Sequence, residues 1–524
     1  MARRTSKIKL ILQLLPIVIV AIAGVFGASQ LKVVREFLAG ASGEPANIVI
    51  DNGVLQGPVQ KPWRNFAQGG EMSDWRIAPI KGKVAALTPE YIRLDHIYSF
   101  YDIVKKDGEK LTFDFSKLDP LVDDIVSVGA KPYISLSYMP TPISDDGQII
   151  GKPQKWEYWQ ETVRATIQHY SGDKKISGVI YEVWNEPDLF GGWKTYGDKN
   201  YLTLYTYAAR GQAQVRGAQP YQFGGPAITA LYKNWFDKLV QHAKANNLRL
   251  DFFSWHRYNM DVEVFNNDFA SAIEWRSAYP EYSNLQLHVT EYGHDSKNHP
   301  GYDNNLGAAH TAVTSIEMAG KINRGFVFEI EDGKDPKGQE KWGRWGVLTH
   351  HDFGANIKPR YLAIRLMNRI EGTSIKLEGK GSWVKAMASR NKNSIEMLIA
   401  NFDARGAHTE NVPITYKNIV PGNYILEITD LNGQTRKQPA ITASTELSTN
   451  IFMGANTVML VKLLPQDGQS LEVTPTAPEV LVPTENLPAP SEQEGPADVL
   501  RRLLKEQNAG EQAPAAPADV QVVF

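Results

Sequence analysis

Two glutamates stand where apolar, strand-like runs break off. Glu186 closes the run in "YEVWNEPD" (residues 181–188), and Glu291 follows Val289 and Thr290 in "LQLHVTEYG". An ionisable side chain at such a corner needs a reason, and a second carboxylate across a cavity supplies one. Glycoside cleavage passes through an oxocarbenium-like transition state. It needs an acid to protonate the leaving oxygen and a carboxylate opposite to capture or stabilise the positive carbon. With about 5–5.5 Å between the two, the second carboxylate attacks directly and the anomeric configuration is retained. The two groups must also differ in protonation near neutrality. Proximity of the charges raises one pKa, and nearby cations or hydrogen bonds hold the other low. Arg93, in "YIRLDHIY", is a candidate for that second role. The plainer readings are a helix cap for Glu186, since Asn-Glu-Pro is a fair helix start, and a salt-bridged turn residue for Glu291.

A scaffold has to bring such a pair together. From Pro62 to Gly372 short apolar runs alternate with stretches of helical periodicity. Strands are expected over 63–68, 91–95, 132–138, 178–184, 222–225, 251–256, 286–290 and 325–330, and helices over 156–170, 201–218, 233–245 and 306–320. Eight strands alternating with helices over residues 61–372 suit an α/β fold, a (β/α)8 TIM barrel, whose usual size is about 250 residues plus insertions. A doubly wound open sheet is the alternative. It would want a G-x-G-x-x-G turn after the first strand, and Gly69-Gly70 does not supply one.

In a barrel the chemistry gathers where the strands end. On that rule strand 4 offers Asn185 and Glu186, strand 6 offers His256 and Tyr258, and strand 7 offers Glu291. Strand 2 offers Arg93, Asp95 and His96. Trp345, in "WGRWG" after strand 8, sits where such barrels place a stacking aromatic, with Trp193 and Tyr292 as further options, whereas Trp184 reads as packing. The adjacent His350 and His351 of "THHDFG" lack the i, i+4 spacing of a helical zinc site. Neither a metal nor a cofactor is expected.

Beyond Gly372 the texture changes to short strands over 374–377, 383–388, 394–401, 423–429 and 456–464, separated by turns such as Pro421-Gly-Asn and Leu431-Asn-Gly. This predicts a small C-terminal β-sandwich over 373–465. Residues 31–60 form a linker that can lend it a strand through 47–54. From 466 to 524 a Pro/Glu/Ala-rich tail buries too little apolar surface to offset its ordering entropy, and it is expected to be disordered. Residues 497–507, "ADVLRRLLKEQ", could form a short amphipathic helix that docks on envelope polysaccharide machinery.

At the other end Arg3, Arg4, Lys7 and Lys9 precede an apolar run from Leu10 to Ser29. Residues 1–30 can thus be a secretory signal cut near Ala21-Ile-Ala23, or an uncleaved membrane anchor, since about 20 apolar residues span a bilayer. Basic residues before the run favour a cytoplasmic N-terminus and an exported body on the periplasmic or extracellular side. The net charge of −2 leaves no Lys/Arg excess to neutralise a nucleic acid. The absence of cysteine excludes disulfides, thiol catalysis and thiolate-bound metals.

"WNEP" on strand 4 and "TEYG" on strand 7 resemble the acid/base and nucleophile motifs of the clan of retaining (β/α)8 glycoside hydrolases. "DFFSWHRY", the barrel-then-sandwich order and the closing "KPRYLAIRLMNRI" resemble glycoside hydrolase family 39 in particular, over about residues 60–465. The resemblance implies Glu186 as general acid/base and Glu291 as nucleophile. It also implies that Asn185 meets the sugar 2-hydroxyl and that Tyr258 hydrogen-bonds the nucleophile, with His256 near it and Arg93 in support. β-Xylosidases of that family usually carry a His where this chain has Asp95. The departure turns the expected substrate toward a bacterial exopolysaccharide, with a hemicellulose-like chain as the other option. A non-catalytic carbohydrate-binding or assembly protein on the same scaffold is the rival reading.

Overall fold

Period-two alternation inside short apolar runs builds the centre of the molecule. The computed structural model describes residues 43–70, 72–334, 337–340, 343–466 and 471. Strands β1 (Asn65–Gln68), β2 (Tyr91–Leu94), β3 (Lys131–Leu136), β4 (Val179–Val183), β5 (Tyr221–Ile228), β6 (Phe252–Tyr258), β7 (Gln286–Gly293) and β8 (Arg324–Phe328) are parallel neighbours in chain order. Pairing of β8 with β1 closes the barrel.

One parity of each strand faces the helices: Ile92, Ile134, Val179, Phe253, Leu287 and Val289 are buried in that outer layer. The other parity faces inward, where Ala67, Tyr91, Tyr133, Ile180, Phe252 and Phe326 pack on one another as the barrel floor. Two residues further along the same inward faces come Arg93 and Glu182, so the alternation that plugs the barrel also aims its charges at the mouth.

Strand β7 breaks this rule at one point. Val289 pairs with Trp255, but it is Glu291, not Thr290, that pairs with His256. The extra residue is a β-bulge, and it resets parity so that Glu291 joins the inward set instead of following Val289's outward one. A second register shift, between Pro226 and Ile228 of β5, lies across the same mouth.

Helices Trp156–Ile167, Tyr201–Ala213, Lys233–Ala245 and Asn305–Met318 fall close to where periodicity puts them. Helix Val262–Ser277 was not expected. Its start is set by Asp261, whose carboxylate accepts from the Glu263 amide at 3.0 Å.

The C-terminal strands form one continuous nine-stranded ladder rather than two separate sheets. Ile48, Ile50, Ile399, Ile414, Ile428, Leu447 and Val461 share a single core, so the ladder curls to bury one face against itself. Segment Ile48–Pro58 belongs to it, antiparallel to Thr373–Glu378 and parallel to Glu410–Lys417. Strands Glu410–Lys417, Thr435–Thr442 and Glu446–Met453 are additional to those read from sequence. Thr435–Thr442 is an edge strand, largely exposed and carrying Pro439, and so lacks an apolar signature.

Helix Asn305–Met318, which follows β7, packs on this sheet. Its Glu317 is held by Lys321 and Lys380 at 2.9 Å each. The sheet therefore buttresses the strand that carries Glu291. Among the described residues no helix is long and apolar enough to cross a membrane. The expected signal or anchor over 1–30 and the tail helix over 497–507 lie outside the described residues.

Candidate active site

Glu186 sits on a strained corner. Trp184 and Glu186 both have positive φ, 75° and 45°, a conformation that costs side-chain-bearing residues free energy and persists only where surroundings enforce it. The enforcement is visible: the Glu186 amide donates to the Ala227 carbonyl at 2.9 Å, and the Trp184 indole donates to the Phe190 carbonyl at 3.0 Å. The Glu186 carboxylate caps no helix. It faces the Nδ1 of His256, at 2.9 Å from Oε1. The same nitrogen lies 3.4 Å from Glu291 Oε2, so His256 bridges both glutamates instead of attending one.

Around that imidazole, oxygens of Glu186 and Glu291 come within 4.8 Å of each other. Tyr258 donates its hydroxyl to Glu291 Oε2 at 2.8 Å. Arg93, fully buried, spends its donors on three acceptors: Glu182 at 2.7 Å, Glu291 at 2.9 Å and Asn185 at 2.7 Å. Asn185 is thereby fixed with its amide nitrogen toward Tyr138 Oη, at 2.8 Å, and toward Asp95, at 3.4 Å. The structure thus gathers Arg93, Asp95, Asn185, Glu186, His256, Tyr258 and Glu291 at one mouth. Asp95, Asn185, Glu186, Tyr258 and Glu291 line a cavity of about 570 Å³ together with Tyr138, Phe190, Phe328 and the expected Trp345.

The electrostatics follow from burial. Desolvation raises the Glu291 pKa above its ordinary value, while His256 and Arg93 pull against it. Arg93 does not hold Glu291 below the usual range, as the sequence argument had it; burial of the carboxylate outweighs the cation. Burial alone would lower His256, yet the Glu291 charge and the bond to Glu186 outweigh it, and the imidazole is raised. Arg93 is likewise raised, because Glu182, Glu291 and Asp95 together exceed its desolvation penalty.

Other expectations land elsewhere. Trp193 is buried in an aromatic cluster with Trp184 and Trp156, and Tyr292 is buried with its hydroxyl at 3.0 Å from Ser315, so both are packing groups and not sugar platforms. His96 lines the cavity and stacks on Phe100. The histidine pair of "THHDFG" does meet a third group: Glu331, His350 and His351 offer ligand atoms within 4.8 Å of one another. Adjacent histidines gathered by a loop need no helical spacing. The His350 ring is nonetheless engaged at both nitrogens, with the Asp352 amide donating to Nδ1 and Met72 Sδ 3.0 Å from Nε2.

Sequence reasoning missed Glu182 and Tyr138. Glu182 lies four residues before Glu186, a lone acid within an otherwise apolar strand; that was the available signal. Tyr138 is the last residue of the predicted strand over 132–138, but nothing in the sequence distinguishes it from a core aromatic.

A parallel eight-stranded barrel whose fourth and seventh strands deliver paired carboxylates to one cavity is the framework of a glycoside hydrolase. Comparison with known proteins agrees. Residues 48–436 match the family described as Glycosyl hydrolases family 39. A protein of Caldicellulosiruptor saccharolyticus named Beta-xylosidase is 27% identical over 415 residues, covering 71% of this chain and 82% of that protein. One of the same name from Geobacillus stearothermophilus is 26% identical over 306 residues, 52% of this chain and 59% of that protein. In fold, the GH39 enzyme from Xanthomonas axonopodis pv. citri superposes with a TM-score of 0.63 at 18% identity, over 80% of this chain and 98% of that one. A monomeric beta-xylosidase from Caulobacter crescentus CB15 also scores 0.63, at 19% identity over 80% and 100%. The chain belongs to glycoside hydrolase family 39, and it is a retaining glycoside hydrolase.

Proposed function

We propose that the protein cleaves O-glycosidic bonds in a polysaccharide by double displacement, with Glu186 as acid/base and Glu291 as nucleophile. The observation that carries this reading is the approach of the two carboxylates to within 4.8 Å around His256. That separation suits direct attack, whereas an inverting pair leaves about 6.5–9.5 Å for a water.

In the first step the Glu186 proton passes to the glycosidic oxygen as a Glu291 oxygen bonds to the anomeric carbon and the leaving sugar departs. In the second, Glu186, now a carboxylate, takes a proton from water. The water oxygen attacks the anomeric carbon, and the Glu291 ester bond breaks to regenerate the carboxylate. Tyr258 and Arg93 hold Glu291 in line for attack by donating to different oxygens. Asn185, oriented by Arg93 and Tyr138, is positioned for the 2-hydroxyl. Trp345 and Phe328, in edge contact with ring centroids 5.7 Å apart, form an aromatic wall for the sugar. A non-catalytic binder would gain nothing from burying two mutually repelling acids here.

For substrate the reading favours a bacterial exopolysaccharide or a hemicellulose-like chain. The β-xylosidase names of the relatives support the second, and Asp95 at the mouth supports the first. The basic-then-apolar N-terminus supports export, with tethering to the cytoplasmic membrane if the segment is not cut. The tail would then be the link to envelope polysaccharide machinery. Fractionation of cells expressing the full chain checks export and tethering.

The mechanism is tested by incubating the full chain with a polysaccharide panel and following new reducing ends by mass spectrometry and proton NMR. Products released with the substrate's own anomeric configuration, and an ester on Glu291 trapped by a 2-deoxy-2-fluoro glycoside, are expected. Initial inversion, or a label on another residue, rejects the assignment.

A further inference from the structure

Asp95 takes no part in the double displacement, yet it occupies the catalytic cavity. It follows Leu94 at the end of β2 and is 9% exposed. Among the described residues its carboxylate receives one hydrogen bond, a long one of 3.4 Å from Asn185. That nitrogen already serves Tyr138 at 2.8 Å. A carboxylate so nearly buried leaves lone pairs short of donors within the protein, and its open side is the cavity.

The surrounding charge sharpens the point. Among the described residues, Asp95, Glu186 and Glu291 line the cavity, while no lysine or arginine does. The one guanidinium beneath them, Arg93, has each of its nitrogens committed to Glu182, Glu291 or Asn185. Among the described residues, a sugar carboxylate entering here would meet like charges at short range and no lysine or arginine on the cavity wall. A donor would find an acceptor that is nearly buried and open toward it.

We propose that Asp95 is a recognition group that accepts the hydrogen-bond donors of the sugar held over Glu291, a hydroxyl pair or the ammonium of an amino sugar, and turns uronic acids away. This rests on the reading of the cavity as the catalytic site. A histidine in this place can donate as well as accept; a carboxylate only accepts, so the selection is narrowed to donors.

The test measures binding to the full chain carrying Glu186→Gln, which keeps substrates intact, with and without Asp95→Asn. The probes are β-linked oligomers of glucosamine, xylose and glucuronic acid of equal length, titrated calorimetrically. With Asp95 present, glucosamine or xylose oligomers bind at least about tenfold tighter than glucuronic acid. Asp95→Asn weakens them by about ten- to a hundredfold, the range of one charge-assisted hydrogen bond, and strengthens glucuronic acid. A loss confined to glucosamine identifies the ammonium; equal losses on glucosamine and xylose identify hydroxyls. Asp95→His, read the same way, serves if the asparagine variant does not fold. Unchanged selectivity, a preference for glucuronic acid, or no binding of any oligomer overturns the proposal. Trapping of Glu291 in the Asp95→Asn protein with Glu186 intact reports on the hydrolase reading separately.

Discussion

Arg93 Nε donates to Glu182 Oε2 at 2.7 Å, and both side chains are wholly buried. Glu182 touches neither cavity nor solvent, so its charge acts through Arg93. It shares the guanidinium that would otherwise lean fully on Glu291. Glu182→Gln keeps the shape and removes the competing charge. The Arg93 field then acts more strongly on Glu291 and favours its ionised form. The acid limb of kcat/KM should move to lower pH and kcat should fall, because a less basic carboxylate is a weaker nucleophile. Glu182→Ala should cost about 3–5 kcal/mol of folding stability, as expected when one partner of a buried pair is removed, read from urea denaturation.

Glu291→Gln should abolish turnover, by at least about a thousandfold, while raising stability at neutral pH. The sign follows from the raised pKa, which burial causes. A group raised in the folded state contributes stability that is present below its unfolded pKa and lost as pH rises through the folded one. At neutral pH the ionised carboxylate is therefore a burden that a neutral isostere relieves. Thermal melts at pH 7 and pH 4 check it: the variant's advantage should shrink toward pH 4.

Glu186→Ala should slow substrates with poor leaving groups by at least about a thousandfold, whereas those with acidic phenol leaving groups, which need little protonation, should still form the glycosyl-enzyme and stall at its hydrolysis for want of a base. Added azide should restore turnover on the latter as a glycosyl azide of the substrate's own anomeric configuration. Such rescue needs a covalent glycosyl-enzyme and an emptied acid/base position, so no azide product would count against both assignments.

Tyr258→Phe removes a donor from the ionised form of Glu291. As the proposed nucleophile, Glu291 works only as a carboxylate, so activity falls as pH drops through its pKa. Loss of the Tyr258 bond raises that pKa further, and the acid limb should shift upward with a drop in kcat of about tenfold to a hundredfold. A pH–rate profile measured alongside the native chain decides it.

The contrast between Glu186 and His256 shows how far sequence could reach. "WNEP" and "TEYG" located both glutamates because each polar residue follows an apolar run, and strand order put them at one mouth. The bridging position of His256 was not legible. It depends on the bulge at Thr290, which changes which residue of β7 stands opposite β6, and a one-residue bulge leaves no trace in a period-two pattern. Eight barrel strands were readable because buried parallel strands form short apolar runs. Strand Thr435–Thr442 was not, because an exposed edge carries little hydrophobic signal. The direction of the Glu291 shift was missed for a related reason: composition names the neighbouring cation but not the depth of burial.

The loop that begins at Glu186 continues into Leu189 and Phe190, 60% and 44% exposed, and both line the cavity. If Glu186 is the acid/base proposed above, these large apolar side chains beside it lie on the leaving-group side. Phe190 is held there in edge contact with Tyr138, ring centroids 5.8 Å apart. Phe190→Ala should therefore weaken oligosaccharides that place a sugar on this ledge, raising KM about tenfold, the equivalent of about 1.4 kcal/mol. Substrates with a small aliphatic leaving group should change little, since they do not reach it. Steady-state kinetics on a matched pair with the same glycone separates the outcomes. Equal losses on both would place Phe190 in support of Tyr138 and not in contact with the leaving group.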